Sequence, residues 1–139
     1  MWLMSATAFA EDLWFRQMEE GDRVEITYTS TGCFHHFTKY LELRKQDGVT
    51  FFTEYDIKWS EEDPTEIIEQ KVLERVPLSR KDIRRLDRVL LHFRYPKKGT
   101  STTMGSLTLE YYEPSGLIKT EKLHHSNGLT EFPDVKSFR

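Results

Sequence analysis

The stretch LELRKQDGVTFFTEYDIKW, from Leu41 to Trp59, decides the fold class of this 139-residue chain. Apolar and polar residues alternate on both sides of Asp47-Gly48, which is the pattern of two half-buried strands. An Asp-Gly pair favours a tight hairpin turn because both residues tolerate a positive φ. We therefore predict a β-hairpin here. On its second strand we predict that Phe52 lies on the outward, polar face. The inward face then carries the other set of alternating residues: Phe51, Thr53, Tyr55, Ile57 and Trp59.

The residues before this hairpin predict one more strand and a helix. Val24, Ile26 and Tyr28 alternate with polar residues, and a turn follows before the next strand begins. The three strands then form an antiparallel meander. Further upstream, residues 11–20 combine strong helix formers with a glycine stop signal at Gly21, so we predict an N-terminal helix there.

The residues after the hairpin predict a strand, a helix and a second hairpin. Residues 66–76 fit both strand and helix spacing, and we favour a strand because Pro77 disfavours the α conformation in the residue before it. Ser79 is a good N-cap, with Asp82 placed to complement the positive end of a helix, so we predict an amphipathic helix over 80–94. The turn residues 113–116 then divide a C-terminal hairpin.

Together these elements predict an α+β fold. A mainly antiparallel sheet of five or six strands, made of the N-terminal meander and the C-terminal hairpin, packs against the helix at 80–94 and an N-terminal helix. The length fits one domain, which we assign to residues 11–139.

A net charge of −3 excludes a globally basic nucleic-acid binder. No apolar run reaches the ~20 residues that span a bilayer, so we expect no membrane insertion.

Residues 1–10, MWLMSATAFA, have two interpretations. Ala8-Phe9-Ala10 matches the small-x-small pattern of a signal-peptide cleavage site, although no basic residue precedes the short apolar stretch. The segment is then the remnant of a truncated leader, and the protein is periplasmic or secreted. Alternatively, apolar residues from Trp2 to Leu13 recur at helical spacing and begin the N-terminal helix. The protein is then cytoplasmic.

Two histidine pairs and the sole cysteine are the candidates for chemistry. His35 and His36 follow Cys33, whereas His124 and His125 lie near the end of the last predicted strand. Thiolate and imidazole groups both bind zinc. Adjacent residues on a strand point to opposite faces, so only one histidine of each pair can face a common metal. No zincin, CxxC, P-loop, dinucleotide or nucleophile-elbow motif accompanies them, and we expect no cofactor.

The charges are distributed unevenly along the chain. Residues 80–98 carry eight basic and two acidic residues, whereas residues 54–66 carry six acidic residues and one lysine. Such asymmetry favours docking of an oppositely charged partner, although pairing of Asp82 and Asp87 with Arg85 or Arg88 explains it equally well. The predicted contact residues are four helical arginines and two outward aromatic residues: Arg80, Arg84, Arg85, Arg88, Phe52 and Tyr112.

These observations favour a non-enzymatic binding module that acts through protein–protein contact, such as a small bacterial inhibitor or immunity-type protein. We expect a protein partner rather than nucleic acid, because no aromatic platform accompanies the basic residues. Two alternatives stay open. A small hydrolase or metal-dependent enzyme requires Cys33 and the paired histidines to converge in a pocket. A domain for a small apolar ligand requires a large cavity between helix and sheet.

Overall fold

The computed structural model describes residues 14–33, 36–95, 104–125 and 131–139. Within these residues one α-helix, α1 (Arg80–Arg94), and a short 3₁₀ helix (Val135–Phe138) accompany an antiparallel sheet. The sheet has six strands: β1 (Arg23–Thr31), β2 (His36–Gln46), β3 (Val49–Trp59), β4 (Ile67–Leu78), β5 (Met104–Glu113) and β6 (Gly116–His125). The predicted α+β class, with a mainly antiparallel sheet and a helix at 80–94, is confirmed.

The strand order across the sheet is β4-β3-β2-β1-β5-β6, and every neighbouring pair is antiparallel. The N-terminal meander therefore extends to β4, which confirms a strand in the ambiguous segment before Pro77. The C-terminal hairpin joins the other side of β1. In register, Ile26 of β1 lies between Leu41 of β2 and Leu109 of β5, so apolar residues form continuous rows across the sheet.

The predicted turn chemistry explains two of the junctions. Asp47 and Gly48 have φ values of 55° and 76°, and the residues flanking them pair directly as the ends of β2 and β3. Both turn positions therefore adopt the left-handed region that a two-residue hairpin requires. At the start of α1, the Ser79 hydroxyl accepts from the Asp82 amide, while the Asp82 carboxylate accepts from the Ser79 amide. This capping box satisfies two donors at the helix end.

One face of the sheet, the covered face, packs against α1 and the C-terminal segment. Phe52 belongs to this face and is 0% exposed, so the prediction that it points outward is wrong. Its neighbours across the sheet are Leu43 and Val76, which are also buried, and its ring contacts Phe138 with centroids 5.6 Å apart. Thr50 and Phe52 are thus buried although we predicted them to point outward, because aromatic residues near the end of the chain cover Phe52. Further along β3, Asp56 and Lys58 are exposed and Ile57 is half-buried, as predicted.

The other face, the open face, carries the alternate residues of each strand. In β3 these include Phe51 and Tyr55, which we predicted to point inward. The Arg75 guanidinium lies over the Phe51 ring, 4.3 Å from its centroid, and shields part of it from water. Polar and charged partners from neighbouring strands therefore take the place of a second layer around these aromatic residues.

The N-terminal helix predicted over 11–20 is not shown. Residues 14–17 form a turn instead, and residues 1–13, which include the proposed leader segment, lie outside the described residues. Trp14, Phe15 and Met18 are all buried, and burying two adjacent aromatic residues suits a turn better than a one-sided helical stripe. Across the described part of the chain, we find no helix with both the length and the apolar character needed to cross a membrane.

Candidate functional site

His36 and His124 are too far apart to bind one metal ion together. His36 pairs with Thr31 of β1, and their side chains share a hydrogen bond of 2.8 Å. His124 pairs with Ser106 of β5 at the same end of the sheet. Because β1 and β5 separate the two histidines, three strand spacings, about 14 Å, lie between their backbones. His35 and the His125 side chain lie outside the described residues.

The other elements of the metal or hydrolase alternative are not assembled either. Cys33 is exposed at the end of β1. Among the residues that the structure describes, no three or more histidine, cysteine, aspartate and glutamate residues are grouped so that they could hold a metal ion. The paired histidines were the strongest chemical signal in the sequence, and the described ones do not converge.

The predicted arginines divide into two sets. Arg80, Arg84 and Arg88 recur every four residues, so they form one exposed row along α1. None of the three makes an ion pair with any other residue in the described ranges. Arg85 points elsewhere, since its guanidinium lies 4.5 Å from the centroid of the Phe138 ring. Three arginines of α1 therefore point outward in a row, whereas Arg85 packs against the C-terminal 3₁₀ helix.

Tyr112, the second aromatic residue predicted to contact a partner, lies on the open face. The Arg23 guanidinium stacks over its ring at 4.0 Å from the centroid. The ring is half-buried, so it is accessible at the surface in a way that Phe52 is not.

Asp87 does not neutralise the arginine row, contrary to the local pairing considered above. It is 1% exposed, and one carboxylate oxygen accepts from the Phe15 amide at 3.1 Å. The other oxygen accepts from Arg16 Nε at 3.1 Å. Burial raises the pKa of Asp87, and the bonds from these N-terminal groups oppose that shift. Asp87 therefore fixes the N-terminal turn onto α1 and is withdrawn from the helix surface.

This attachment creates a cavity of about 370 Å³ beside the first turns of α1, which we call the basic pocket. It lies between the N-terminal turn, the end of the β2–β3 hairpin and the helix. The apolar floor of the pocket is formed by Phe15, Met18 and Ile83. The rest of the lining consists of four cations and one hydroxyl group: Arg16, Lys45, Arg80, Arg84 and Thr50.

The positive charge of the basic pocket is only partly compensated. Arg16 pairs with Asp87, whereas Lys45 donates only to the neutral Met18 carbonyl at 3.3 Å, so Lys45, Arg80 and Arg84 have no ion pair among the described residues. Two further carboxylates at this end of the molecule are already engaged. Asp82 belongs to the capping box. Glu20 accepts from the two amides of the β2–β3 turn, and these bonds, that of Gly48 foremost, lower its pKa.

A second, electrically balanced site lies on the open face. Arg44 donates two hydrogen bonds to Glu42, both of 3.1 Å, and the Tyr55 hydroxyl donates a third at 3.3 Å. Cavities of about 270 and 230 Å³ flank this group on either side. Burial and the Glu42 carboxylate raise the pKa of Tyr55. Since Glu42 and Arg44 neutralise each other, this group has less unpaired charge to offer a partner than the basic pocket has.

The sequence indicates part of the basic pocket but not all of it. Arg80 and Arg84 were predicted from the charge run, whereas Arg16 and Lys45 come from separate segments that only the fold brings together. Asp87 was the available signal: it lies between Leu86 and Leu90 in the apolar stripe of α1, where a charged residue needs a buried partner.

Comparison with known proteins finds no relative of this chain. No family model, no curated protein and no solved structure matches it. The geometry of the basic pocket is therefore the basis for the functional proposal.

Proposed function

We propose that this protein is a binding module that acts through protein–protein contact, and that its basic pocket holds an acidic segment of the partner. One observation carries the proposal. Arg80 and Arg84, which lack ionic partners among the described residues, converge with Arg16 and Lys45 over an apolar floor. A local excess of positive charge is notable in a chain whose net charge is −3, because composition alone does not produce it.

The chemistry of the lining suits a carboxylate on a polypeptide. Guanidinium groups bind carboxylates through two parallel hydrogen bonds, which fixes orientation as well as charge. Phe15 and Met18 are already buried, so the half-buried Ile83 is the apolar residue of the lining on which a partner gains from burial as well as from ion pairing. Arg88 continues the positive row one turn along the helix and extends the contact. Such complementarity chiefly favours rapid and specific association.

An inhibitor or immunity-type role is the form of contact that this arrangement supports best. A module of that kind covers a surface of its partner and needs no catalytic group of its own. The enzyme alternative has less support because the described histidines are separated by two strands. The apolar-ligand alternative also has less support, since Leu86, Leu90 and Phe93 are at most 1% exposed and occupy the space between α1 and the sheet.

Fluorescence anisotropy with a labelled oligoglutamate peptide tests the proposal. We expect the wild-type protein to bind this peptide more tightly than an oligolysine peptide, with affinity that falls as salt is added. The variant Arg80→Glu/Arg84→Glu should bind the oligoglutamate peptide about tenfold more weakly or worse, since it reverses two cations at the pocket.

The matched control is Arg75→Glu/Lys122→Glu, which makes the same change in net charge on the open face. It should retain the wild-type affinity. Equal loss in both double variants would show that only net charge matters and would contradict a specific pocket. Tighter binding of a single-stranded oligonucleotide than of the acidic peptide would also overturn the proposal, in favour of a nucleic-acid partner.

A further inference from the structure

A second set of uncompensated charges lies in the loop between β3 and β4. We call residues 60–66, SEEDPTE, the acidic loop. Residues 61–66 are all exposed, and four of them are acidic: Glu61, Glu62, Asp63 and Glu66. No residue in the described ranges forms an ion pair with any of these four. The loop thus presents concentrated negative charge with Pro64 near its tip.

The acidic loop and the basic pocket lie at opposite ends of the sheet. Thr50, near the start of β3, lines the basic pocket, whereas Trp59 ends the same strand next to the acidic loop. At the usual rise per residue, the strand between them spans about 30 Å. The acidic loop therefore cannot reach the basic pocket of the same molecule, so neither region neutralises the other.

We propose that the acidic loop of one copy of this chain occupies the basic pocket of a second copy. This inference rests on the proposed function and names the acidic segment. Charge complementarity carries it, since two adjacent exposed carboxylates, Glu61 and Glu62, match Arg80 and Arg84, two cations that have no ion pair among the described residues. Pro64 supplies a small apolar ring for the floor of the pocket. The cavity volume of about 370 Å³ lies in the range that holds a compact ligand, such as the tip of a turn.

The symmetry of such a contact has a measurable consequence. The loop and the pocket are different surfaces, so one contact leaves an unused pocket on the first copy and an unused loop on the second. If these two also engage each other, a closed two-fold dimer results; if each engages a further copy, rings or open chains form. In both arrangements the average mass should rise above that of the monomer as the protein concentration increases, and it should fall when salt screens the charges.

Sedimentation velocity of the full chain over a range of concentrations tests the inference. At low salt we expect the weight-average mass of the wild-type protein to rise to about twice that of the monomer or more. The pocket variant Arg80→Glu/Arg84→Glu and the loop variant Glu61→Lys/Glu62→Lys should each remain monomeric at the same concentrations. The open-face variant Arg75→Glu/Lys122→Glu should associate like the wild type.

A mixture of the pocket variant and the loop variant provides the most specific test of the inference. The unchanged acidic loop of the first fits the unchanged basic pocket of the second, and the two reversed sites also complement each other. We expect association to return in the mixture. If the wild type stays monomeric, or if the loop variant associates as well as the wild type does, the inference is overturned.

Peptide binding separates this inference from the proposed function. The loop variant retains an intact basic pocket, so it should still bind the labelled oligoglutamate peptide. Peptide binding together with a monomeric wild-type protein would remove the second copy as the occupant and leave a different acidic partner. Failure of peptide binding in both proteins would overturn the proposed function as well.

Discussion

The side chains on the two faces of the sheet are stabilised by different kinds of interaction. On the covered face, Tyr28, Phe52, Phe93 and Phe132 form a buried aromatic cluster with centroids about 6 Å apart. On the open face, Glu42, Arg44 and Tyr55 satisfy one another at the surface. The same strands supply both sets through simple alternation. Apolar burial on the covered face should therefore account for most of the stability, while contacts between polar and charged side chains contribute on the open face.

The adjacent residues Phe52 and Phe51 provide the most direct test of this comparison. Phe52→Ala should lower the free energy of unfolding by about 3–5 kcal/mol, because it opens a cavity in the covered face. Phe51→Ala should cost about 1 kcal/mol or less, since it mainly removes the contact with Arg75. Urea denaturation of the two variants measures both effects. Equal costs would show that the faces do not differ in the way we describe.

Asp87 links the covered face to the N-terminal turn, and its removal should have the next largest effect. Asp87→Ala leaves the Phe15 amide and Arg16 without their acceptor, so we expect a loss of about 1–3 kcal/mol. Urea denaturation followed by tryptophan fluorescence measures the loss. Asp56→Ala is a suitable control because it removes an exposed carboxylate from β3 and should leave stability nearly unchanged.

The raised pKa of Asp87 also predicts a pH dependence. Burial makes the folded protein hold this proton more tightly than the unfolded chain does. Acid therefore favours the folded state at this residue, and the advantage is lost as the pH rises from the ordinary carboxyl value of 3.8 through the raised one. The unfolding free energy of the wild type, relative to Asp87→Asn, should fall over that interval. A difference that is independent of pH would contradict the prediction.

Substitution of Glu42 on the open face should lower the free energy of unfolding by less than substitution of Phe52 or Asp87 does. Glu42→Gln keeps the size of the side chain but removes the charge that pairs with Arg44, and we expect a cost of about 1 kcal/mol. Glu25→Gln, which weakens the more exposed pair with Arg23, should cost less than Glu42→Gln does. Chemical denaturation at low and high salt compares the two. A larger loss for Glu25→Gln would reverse the ranking of these pairs.

The smallest effect is expected at the edge of the sheet, on β4. Leu73 falls at a register shift opposite β3, and its side chain is 54% exposed. Leu73→Thr should change stability by about 0.5 kcal/mol or less and should reduce aggregation on heating. Val76→Thr, on the same strand but buried against the covered face, should be clearly more destabilising. Thermal denaturation with light scattering reports both properties.

Local signals were enough to predict most of the elements. Asp47-Gly48 defined the first hairpin, Pro77 favoured a strand before it, and Ser79 with Asp82 marked the start of α1. The orientation of β3 was not accessible in this way. Phe51 and Phe52 are both aromatic, so alternation permits either face, and the decision depends on Phe132 and Phe138, which lie far along the chain.

The basic pocket was predictable only where its residues are close in sequence. The charge run identified Arg80 and Arg84, since both lie on one row of a recognisable helix. Arg16 and Lys45 reach the pocket through tertiary contacts, which carry no local pattern. The prediction of an N-terminal helix is wrong for a related reason. The buried Asp87 carboxylate on α1 accepts a hydrogen bond from the Phe15 amide and stabilises a turn there, whereas the composition favours a helix.

The position of β1 in the strand order has a consequence for how the chain folds during synthesis. β2, β3 and β4 follow β1 directly, so each pairs with its predecessor as soon as it emerges. The other neighbour of β1, β5, is made only after α1. Until then the peptide groups along that side of β1 have no hydrogen-bonding strand. We expect the docking of the late β5–β6 hairpin to limit the folding rate, because it closes the longest loop between paired strands.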